Sequence, residues 1–206
     1  MVETRGFHGP ISMTPILKDL RPAQEGSHLH RYDLSYETAD GRIKSYEIVS
    51  TNKSLTQHTL GAARTGVMIV AFDKPHEHIL LANEFRMGVN QTIINLVSGF
   101  IDADESPIKA AERELREETG LQISKILDIL PFAFIAPAVT DMTACVVICE
   151  AEGTVKSSEN PNEVITARWY SKNELRTALY STATRFSGKA QMLAYLWAYD
   201  GTPHIR

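Results

Sequence analysis

The chain has 206 residues, of which 43% are hydrophobic and 22% charged, and its formal net charge is −4 at pH 7. This length predicts one domain, or one domain with a small extension, with the hydrophobic share of an ordinary globular chain. The acidic balance offers no general attraction to nucleic acid or to a membrane surface, and no apolar run approaches the length of a membrane span.

Cysteine usage and the N-terminal residues favour a cytoplasmic protein. The first residues lack the apolar stretch of a secretory signal. The only cysteines, Cys145 and Cys149, fall on one face of a predicted strand, where they are too far apart to form a disulfide. Two reduced cysteines that contribute to packing fit the reducing conditions of the cytoplasm.

The N-terminal part of the chain predicts an extension ahead of the main domain. Residues 1 to about 24 are rich in glycine and proline and are predicted to be a loose tail. Residues 25–60 contain two strand-like runs, 28–37 and 42–50, joined by the turn sequence Ala39-Asp40-Gly41, which predicts an antiparallel β hairpin. Because such a hairpin is too small to be stable alone, it is expected to pack on the core or on a partner chain.

The main domain is predicted over residues 61–206, where strands and helices alternate. The predicted strands lie near residues 66–72, 78–85, 92–97, 126–135, 142–151 and 164–170. The predicted helices span residues 107–119, 172–180 and 189–199. This order predicts an α/β fold in which a mixed sheet is covered by helices on both sides.

The segment Gly99–Leu121 predicts a helix with defined ends. Ser106 is placed to cap it, and Pro107 suits the first helical position because its missing N–H has no helical partner there. Strong helix formers follow, and Gly120 marks the C-terminal end. Residues 107–119 are therefore expected to form one helix of about three turns.

Carboxylates gather on one face of this helix. Glu114, Glu117 and Glu118 are three or four residues apart, and Glu105 in the preceding loop can turn towards them. Their mutual repulsion and the absence of nearby cysteine or histidine suit a hard divalent cation, chiefly Mg²⁺ or alternatively Mn²⁺, which usually serves a phosphate substrate. The alternative is a solvated helix with pairs such as Arg113 and Glu117; the combined pattern favours the metal site.

The spacing of Gly99, Glu105 and the run Arg113-Glu114-Leu115-Arg116-Glu117-Glu118-Thr119-Gly120-Leu121 resembles the signature of the Nudix hydrolase family at every fixed position. The resemblance implies an α/β/α sandwich with a mixed sheet. It also implies metal-dependent hydrolysis of a nucleoside diphosphate linked to another group, with a small-molecule nucleotide as substrate.

The resemblance also implies roles for individual residues. The implied metal ligands are the carbonyl of Ser98 and the side chains of Glu105, Glu114, Glu117 and Glu118, with Glu114 and Glu118 as the principal ones. Arg113 is expected to orient a glutamate rather than to touch substrate. Gly99 and Gly120 are expected to serve the shape of the backbone.

Two features outside this box resemble the ADP-ribose pyrophosphatase subfamily. Pro137 lies sixteen residues beyond Leu121, and Glu84-Phe85-Arg86 resembles a Glu-x-Arg element whose arginine reaches the substrate phosphates. The leading hairpin also fits the subfamily, whose members form homodimers by exchanging N-terminal strands. Asn95 departs from the pattern, because a glutamate is usual at that position.

The subfamily resemblance implies hydrolysis of ADP-ribose to AMP and ribose 5-phosphate. A glutamate in a later loop would be the catalytic base; Glu163 fits best because it stands just before a predicted strand, and Glu159 is the alternative. Other Nudix substrates are nucleotide sugars, dinucleoside polyphosphates and coenzyme A. A non-catalytic ADP-ribose sensor is the remaining alternative, although sensors usually lose the box glutamates that this chain retains.

Overall fold

The structure is a computed structural model that describes residues 14–158 and 164–201. These residues form two compact units. The first comprises the chain up to Ala63 together with Phe134–Thr143, and the second comprises Arg64–Ala133 and the chain from Ala144 onward. No helix in the described ranges is both long and apolar enough to cross a membrane.

The first unit is built on a three-stranded antiparallel sheet in the order β1-β2-β3. The strands are β1 (Ile16–Glu25), β2 (His30–Glu37) and β3 (Ile43–Ser50). The predicted hairpin is present as β2 and β3, which pair without interruption along their whole length. The turn between them contains Gly41 with a φ of 78°, a left-handed conformation that favours glycine.

Residues 16–24 correct the prediction of a loose tail over residues 1–24, because they belong to β1. The proline that indicated a loop, Pro22, lies opposite Tyr32 on an outer strand, where a missing N–H does not interrupt the sheet. Irregularities in the pairing with β2 on either side, after Leu17 and after Pro22, accommodate the sequence. Residues 1–13 lie outside the described residues.

A small core holds the first unit together. Tyr32 and Leu34 of β2 are almost fully buried, and the Tyr32 hydroxyl donates to the carbonyl of Asn52 at 2.7 Å. The segment Phe134–Thr143 joins this sheet through its backbone: the Val49 N–H donates to the Val139 carbonyl at 2.9 Å. The N-terminal strands and this later segment therefore form one structure.

The second unit contains the mixed sheet that the sequence predicts. Its main strands run in the order β10-β5-β4-β9-β8; β6 pairs with β5, and β7 pairs with β4. Strand β4 runs parallel to β9. The pairs β4–β5, β4–β7, β5–β6 and β5–β10 are antiparallel. The strands are β4 (Gly66–Phe72), β5 (His78–Arg86), β6 (Gln91–Asn95), β7 (Val97–Phe100), β8 (Gln122–Phe134), β9 (Thr143–Glu152) and β10 (Ile165–Ser171).

Helices cover both faces of this sheet. The helix α1 (Pro107–Thr119) shares a buried cluster with Val67 and Ile69 of β4. The helices α2 (Lys172–Ala178) and α3 (Gly188–Ala198) share the other cluster with Val70. Because successive strand residues point to opposite faces, β4 supplies both clusters. The predicted α/β/α sandwich is confirmed.

Two details of the sheet concern predicted features. The strand predicted near residues 92–97 is two strands, because the chain leaves β5 at Asn95 and pairs with β4 from Val97. Cys145 and Cys149 are unbridged, and both lie in the buried cluster under α1. They therefore share one face of β9, as their spacing predicts. Burial raises the pKa of the Cys149 thiol to about 12 and also raises that of Cys145, so both remain protonated.

A capping box begins α2 and generates a stability prediction. The Ser171 N–H donates to the Glu174 carboxylate at 2.8 Å, and the Glu174 N–H donates to the Ser171 hydroxyl at 3.3 Å. The Ser171 backbone, followed by Arg168, lowers the pKa of Glu174 to about 2. Glu174→Ala is expected to reduce the free energy of unfolding by ~1 kcal/mol at pH 7, measured by urea denaturation.

The loss should depend on pH in one direction. Because the pKa of Glu174 is depressed in the folded state, its contribution is complete above about pH 4.5 and fades as the pH falls towards 2. The difference from wild type should therefore be smaller at pH 3 than at pH 7. Glu77→Ala, in an exposed turn, is the matched control with little expected effect. A loss that is equal at both pH values would contradict this assignment.

Candidate active site

The helix α1 has the ends that the sequence predicts. The Lys109 N–H donates to the Ser106 hydroxyl at 3.3 Å, and Pro107 occupies the first turn. Gly120 ends the helix with a φ of 74°, a conformation that disfavours side chains. Leu115 on the opposite side is fully buried against the sheet, which sets the rotation of the helix.

The four predicted carboxylates lie at different depths. The side chains of Glu105 and Glu114 are 15% and 14% exposed, whereas that of Glu117 is 56% exposed. Glu118 is buried. The four side chains thus range from buried, at Glu118, to mostly exposed, at Glu117.

Arg113 joins three of these carboxylates. Its Nε and Nη2 atoms donate to the two oxygens of Glu105 at 3.1 and 2.9 Å. Its Nη1 donates to Glu114 at 2.6 Å and lies 3.5 Å from Glu117. Nη2 also donates to the Phe100 carbonyl at 2.9 Å. One guanidinium therefore connects the entering loop, the helix and β7, which its planar array of donors allows.

Arg113 also affects the ionisation of Glu105. Its hydrogen bonds lower the pKa of Glu105, and the same contacts, with Glu114 as the second partner, raise the pKa of Arg113. The contacts with Arg113 therefore favour the charged form of Glu105. The guanidinium offsets the repulsion that adjacent carboxylates would otherwise experience.

Gly99 allows the close approach of Glu114 to β7. A β-carbon at Gly99 would collide with the Glu114 carboxylate. Gly99 lies opposite Val67 in the β4–β7 pair, and its neighbour Ser98 lies opposite Met68. The strand that contains the predicted carbonyl ligand is therefore the strand that Glu114 contacts.

The donor chemistry of this cluster fits a hard divalent cation. The groups are carboxylates with a backbone strand beside them, and hard cations prefer such oxygen ligands. The described residues contain no group of three or more His, Cys, Asp or Glu side chains arranged to hold a metal. In the arrangement seen, Arg113 supplies the positive charge.

Arg86 lies on the same face of the sheet as α1. Along β5, Ala82, Glu84 and Arg86 alternate with residues of the other face, and Ala82 belongs to the cluster under α1. The Nε of Arg86 is 2.8 Å from the Glu84 carboxylate. The predicted phosphate ligand is thus held by Glu84 rather than by the glutamates of α1.

Sequence reasoning missed the role of Asn95. Its side-chain nitrogen donates to Glu84 at 3.0 Å, and its oxygen accepts from the Ser187 hydroxyl at 2.7 Å. Asn95 is buried, and it lies opposite Ala82 in the β5–β6 pair. The available signal was a polar residue among apolar neighbours next to the box, but Ser187 is 92 residues away.

Three predicted residues remain, namely Pro137, Glu159 and Glu163. Pro137 lies in the first unit, where it lines a cavity of about 230 Å³ whose walls include Tyr36, Tyr46 and Asp141. Glu159 and Glu163 fall within residues 159–163, outside the described residues.

Comparison with known proteins identifies the family. The NUDIX domain family matches residues 62–194, which is more than half of the chain. The chain therefore belongs to the Nudix family, as the resemblance of the box implies.

Curated relatives extend the similarity. The chain is 28% identical over 68% of its length to a putative nudix hydrolase 2 of Caenorhabditis elegans, and 39% identical over 43% of its length to an ADP-ribose pyrophosphatase of Saccharomyces cerevisiae. It is 27% identical over 66% of its length to an ADP-sugar pyrophosphatase of Mus musculus. These matches cover 62%, 37% and 62% of the relatives, so the chain spans less than two thirds of each.

A solved structure shares the fold. An ADP compounds hydrolase superposes with a TM-score of 0.68, covering 90% of this chain and 92% of that one at 20% sequence identity. At this level of identity, the likeness supports the fold of the chain.

The close approach at Gly99 predicts the effect of one methyl group. Gly99→Ala should displace the Glu114 side chain, which can move, and leave the buried core intact. Because Glu114 is a predicted metal ligand, its displacement should lower kcat by at least about tenfold, which corresponds to about 1.4 kcal/mol of transition-state stabilisation. The Tm should change little. Gly88→Ala is the control, since a β-carbon there meets nothing within 4 Å. Equal activity in the two variants would refute the prediction.

The contacts of Arg113 predict that lysine cannot replace it. Arg113→Lys keeps the charge, but a single ammonium cannot hold Glu105 and Glu114 in the same geometry. We expect a loss of kcat of about tenfold or more, measured by steady-state kinetics. Arg116→Lys, at an exposed position of the same helix, should retain wild-type kinetics. If both lysine variants behave alike, Arg113 does not organise the cluster.

Proposed function

We propose that this protein hydrolyses the diphosphate of ADP-ribose to AMP and ribose 5-phosphate with the help of a divalent cation, Mg²⁺ or Mn²⁺. The observation that carries the proposal is the glutamate cluster around Arg113, set against Gly99 within a NUDIX domain match. The names of two relatives, an ADP-ribose pyrophosphatase and an ADP-sugar pyrophosphatase, support a substrate of this class.

The glutamates of α1 would hold the cation. Glu114 and Glu118 are the proposed principal ligands, with Glu117, Glu105 and the Ser98 carbonyl as further ones. When bound, the cation would neutralise charge on the diphosphate and lower the pKa of water. Arg113 favours the charged form of Glu105 and orients both Glu105 and Glu114, which prepares the ligands.

Arg86 is the proposed ligand for the substrate phosphates. Its Nε is committed to Glu84, so the planar guanidinium is held in place and its terminal nitrogens are available to phosphate oxygens. Its position on the α1 face of the sheet supports this role. Pro137 is proposed to contribute to recognition of the sugar or base, beside the aromatic side chains that line its cavity.

A carboxylate outside the described residues completes the proposed reaction. Glu163, or alternatively Glu159, accepts a proton from a water molecule whose oxygen attacks one phosphorus in line. The bridging phosphorus–oxygen bond breaks, and the other phosphate leaves with that oxygen. Each product then carries one phosphate, as AMP and ribose 5-phosphate do.

We further propose a cytoplasmic homodimer formed through the N-terminal strands. The unbridged cysteines fit a reducing compartment, and Ile16 of β1 and Ile43 of β3 expose most of their side chains. The net charge of −4 favours a small-molecule substrate over nucleic acid or a membrane surface.

A substrate panel tests the proposal. ADP-ribose, nucleotide sugars, diadenosine polyphosphates and NADH are incubated with the protein and Mg²⁺, and the products are separated by chromatography. Preferred cleavage of ADP-ribose to AMP and ribose 5-phosphate is the expected result. Preferred cleavage of a nucleotide sugar, which the mouse relative makes the second candidate, would overturn the substrate assignment. Binding of ADP-ribose without hydrolysis would indicate a sensor.

Two pairs of variants test the roles of the glutamates. Glu114→Gln should lower kcat by about 100-fold or more, since loss of a metal ligand removes several kcal/mol from the transition state. Glu112→Gln, which pairs with Lys109 on the exposed side of α1, is its control.

The second pair identifies the base. Glu163→Gln should lower kcat by about 10²–10⁴-fold, whereas Glu159→Gln should retain most activity. The reverse pattern would assign the base to Glu159, and unchanged activity in both variants would exclude this loop as its source.

A further inference from the structure

The first turn of α3 is anchored to the strand that precedes the box. The Ser187 N–H donates to the Ile94 carbonyl at 2.9 Å, and the Ser187 hydroxyl donates to the buried Asn95 side chain at 2.7 Å. The same hydroxyl accepts the Ala190 N–H at 3.3 Å and so caps the helix. Lys189 lies between these anchored residues, and its backbone position is therefore fixed relative to β6.

A chain of polar contacts connects this turn to Arg86. Asn95 accepts from Ser187 and donates to one oxygen of Glu84 at 3.0 Å. The other oxygen of Glu84 lies 2.8 Å from the Nε of Arg86. Both Glu84 oxygens are thus engaged, and the amide of Asn95 is oriented by a partner on each side. A glutamate in place of Asn95 would instead set two carboxylates against each other.

Lys189 adds a second positive charge to this group. Partial desolvation and then the charge of Arg86 lower the pKa of Lys189, and the Glu84 carboxylate opposes them. Within residues 14–158 and 164–201 Lys189 forms no ion pair of its own. Glu84 neutralises Arg86, so the charge of Lys189 is in excess in this group.

A surface lysine would normally turn away from an arginine, because like charges in proximity repel. Here the contacts of Ser187 with Asn95, and of Asn95 with Glu84, connect the helical turn that carries Lys189 to the Glu84–Arg86 pair. An anion with two or more negative charges would relieve the repulsion and use both cations. A diphosphate has this charge and has oxygens on two phosphorus atoms to contact both side chains.

We propose that Lys189 is a second phosphate-binding residue, which acts with Arg86 on the diphosphate of the substrate and is positioned by the Ser187–Asn95–Glu84 contacts. The inference rests on the proposed function in one respect, namely that the substrate contains a diphosphate. Lys189 binds the ground state and the transition state alike, so its loss should act mainly on KM.

The test uses the full chain and three variants. Lys189→Gln removes the charge, Lys189→Arg retains it, and Lys125→Gln removes an exposed lysine from β8 as the matched control. Steady-state kinetics with ADP-ribose gives kcat and KM. Calorimetry with inorganic pyrophosphate on the metal-free protein gives a Kd that does not require turnover, and thermal unfolding checks that each variant is folded.

The expected result is a KM and a pyrophosphate Kd about tenfold higher in Lys189→Gln, with kcat within about threefold of wild type. Lys189→Arg should restore both values to within about threefold, and Lys125→Gln should leave them unchanged. A purely structural role would not be rescued by arginine and would lower Tm.

The two proposals fail in different ways. If wild type hydrolyses ADP-ribose but Lys189→Gln leaves KM and the pyrophosphate Kd unchanged, the role of Lys189 is overturned and the proposed function stands. If wild type does not cleave ADP-ribose but pyrophosphate binding still weakens tenfold in Lys189→Gln alone, the substrate is wrong and the second cation stands. A fall in kcat at constant KM would also overturn the inference.

Discussion

The ion cluster of Arg113 is the interaction on which the rest of this site depends. Three carboxylates within reach of one guanidinium would be unfavourable without it, because each would raise the pKa of its neighbours. Arg113 instead lowers the pKa of Glu105, donates to Glu114 and connects both carboxylates to the backbone of β7. The geometry of the helix, the loop and the strand therefore follows from one planar group of donors.

Strand alternation supplies the second constraint. Every other residue of β5 faces α1, so the sheet presents Glu84 and Arg86 on the side that carries the glutamates. Asn95 lies opposite Ala82 in the register of β5 and β6, which brings its amide to Glu84. The first turn of α3 is then held by Asn95. Packing on the α1 face of the sheet and the polar contacts of Asn95 with Glu84 and Ser187 therefore position residues of the same site.

The parts predicted correctly from the sequence are those with local causes. The cap at Ser106, the first-turn proline and the glycine at residue 120 determine where α1 begins and ends, and all three act within a few residues. The shared face of Cys145 and Cys149 likewise follows from strand periodicity alone. Such features require no knowledge of distant contacts.

The parts that were missed depend on distant partners. The glycine and proline content of residues 1–24 predicts a tail, and only the sheet order shows that Pro22 lies on an edge strand, β1, where a proline is tolerated. The Asn95–Ser187 contact joins residues 92 positions apart. The depth difference between Glu117 and Glu118 depends on how α1 packs, which spacing alone does not determine.

The central claim is that the glutamates around Arg113 hold a divalent cation. Titration with Mn²⁺, followed by the loss of the free-ion electron paramagnetic resonance signal, measures this directly in wild type, Glu114→Gln and Glu112→Gln. We expect wild type and Glu112→Gln to bind Mn²⁺ equally, and Glu114→Gln to bind at least about tenfold more weakly. Equal Mn²⁺ affinity in all three folded proteins would contradict the account, because the cation would then be held elsewhere.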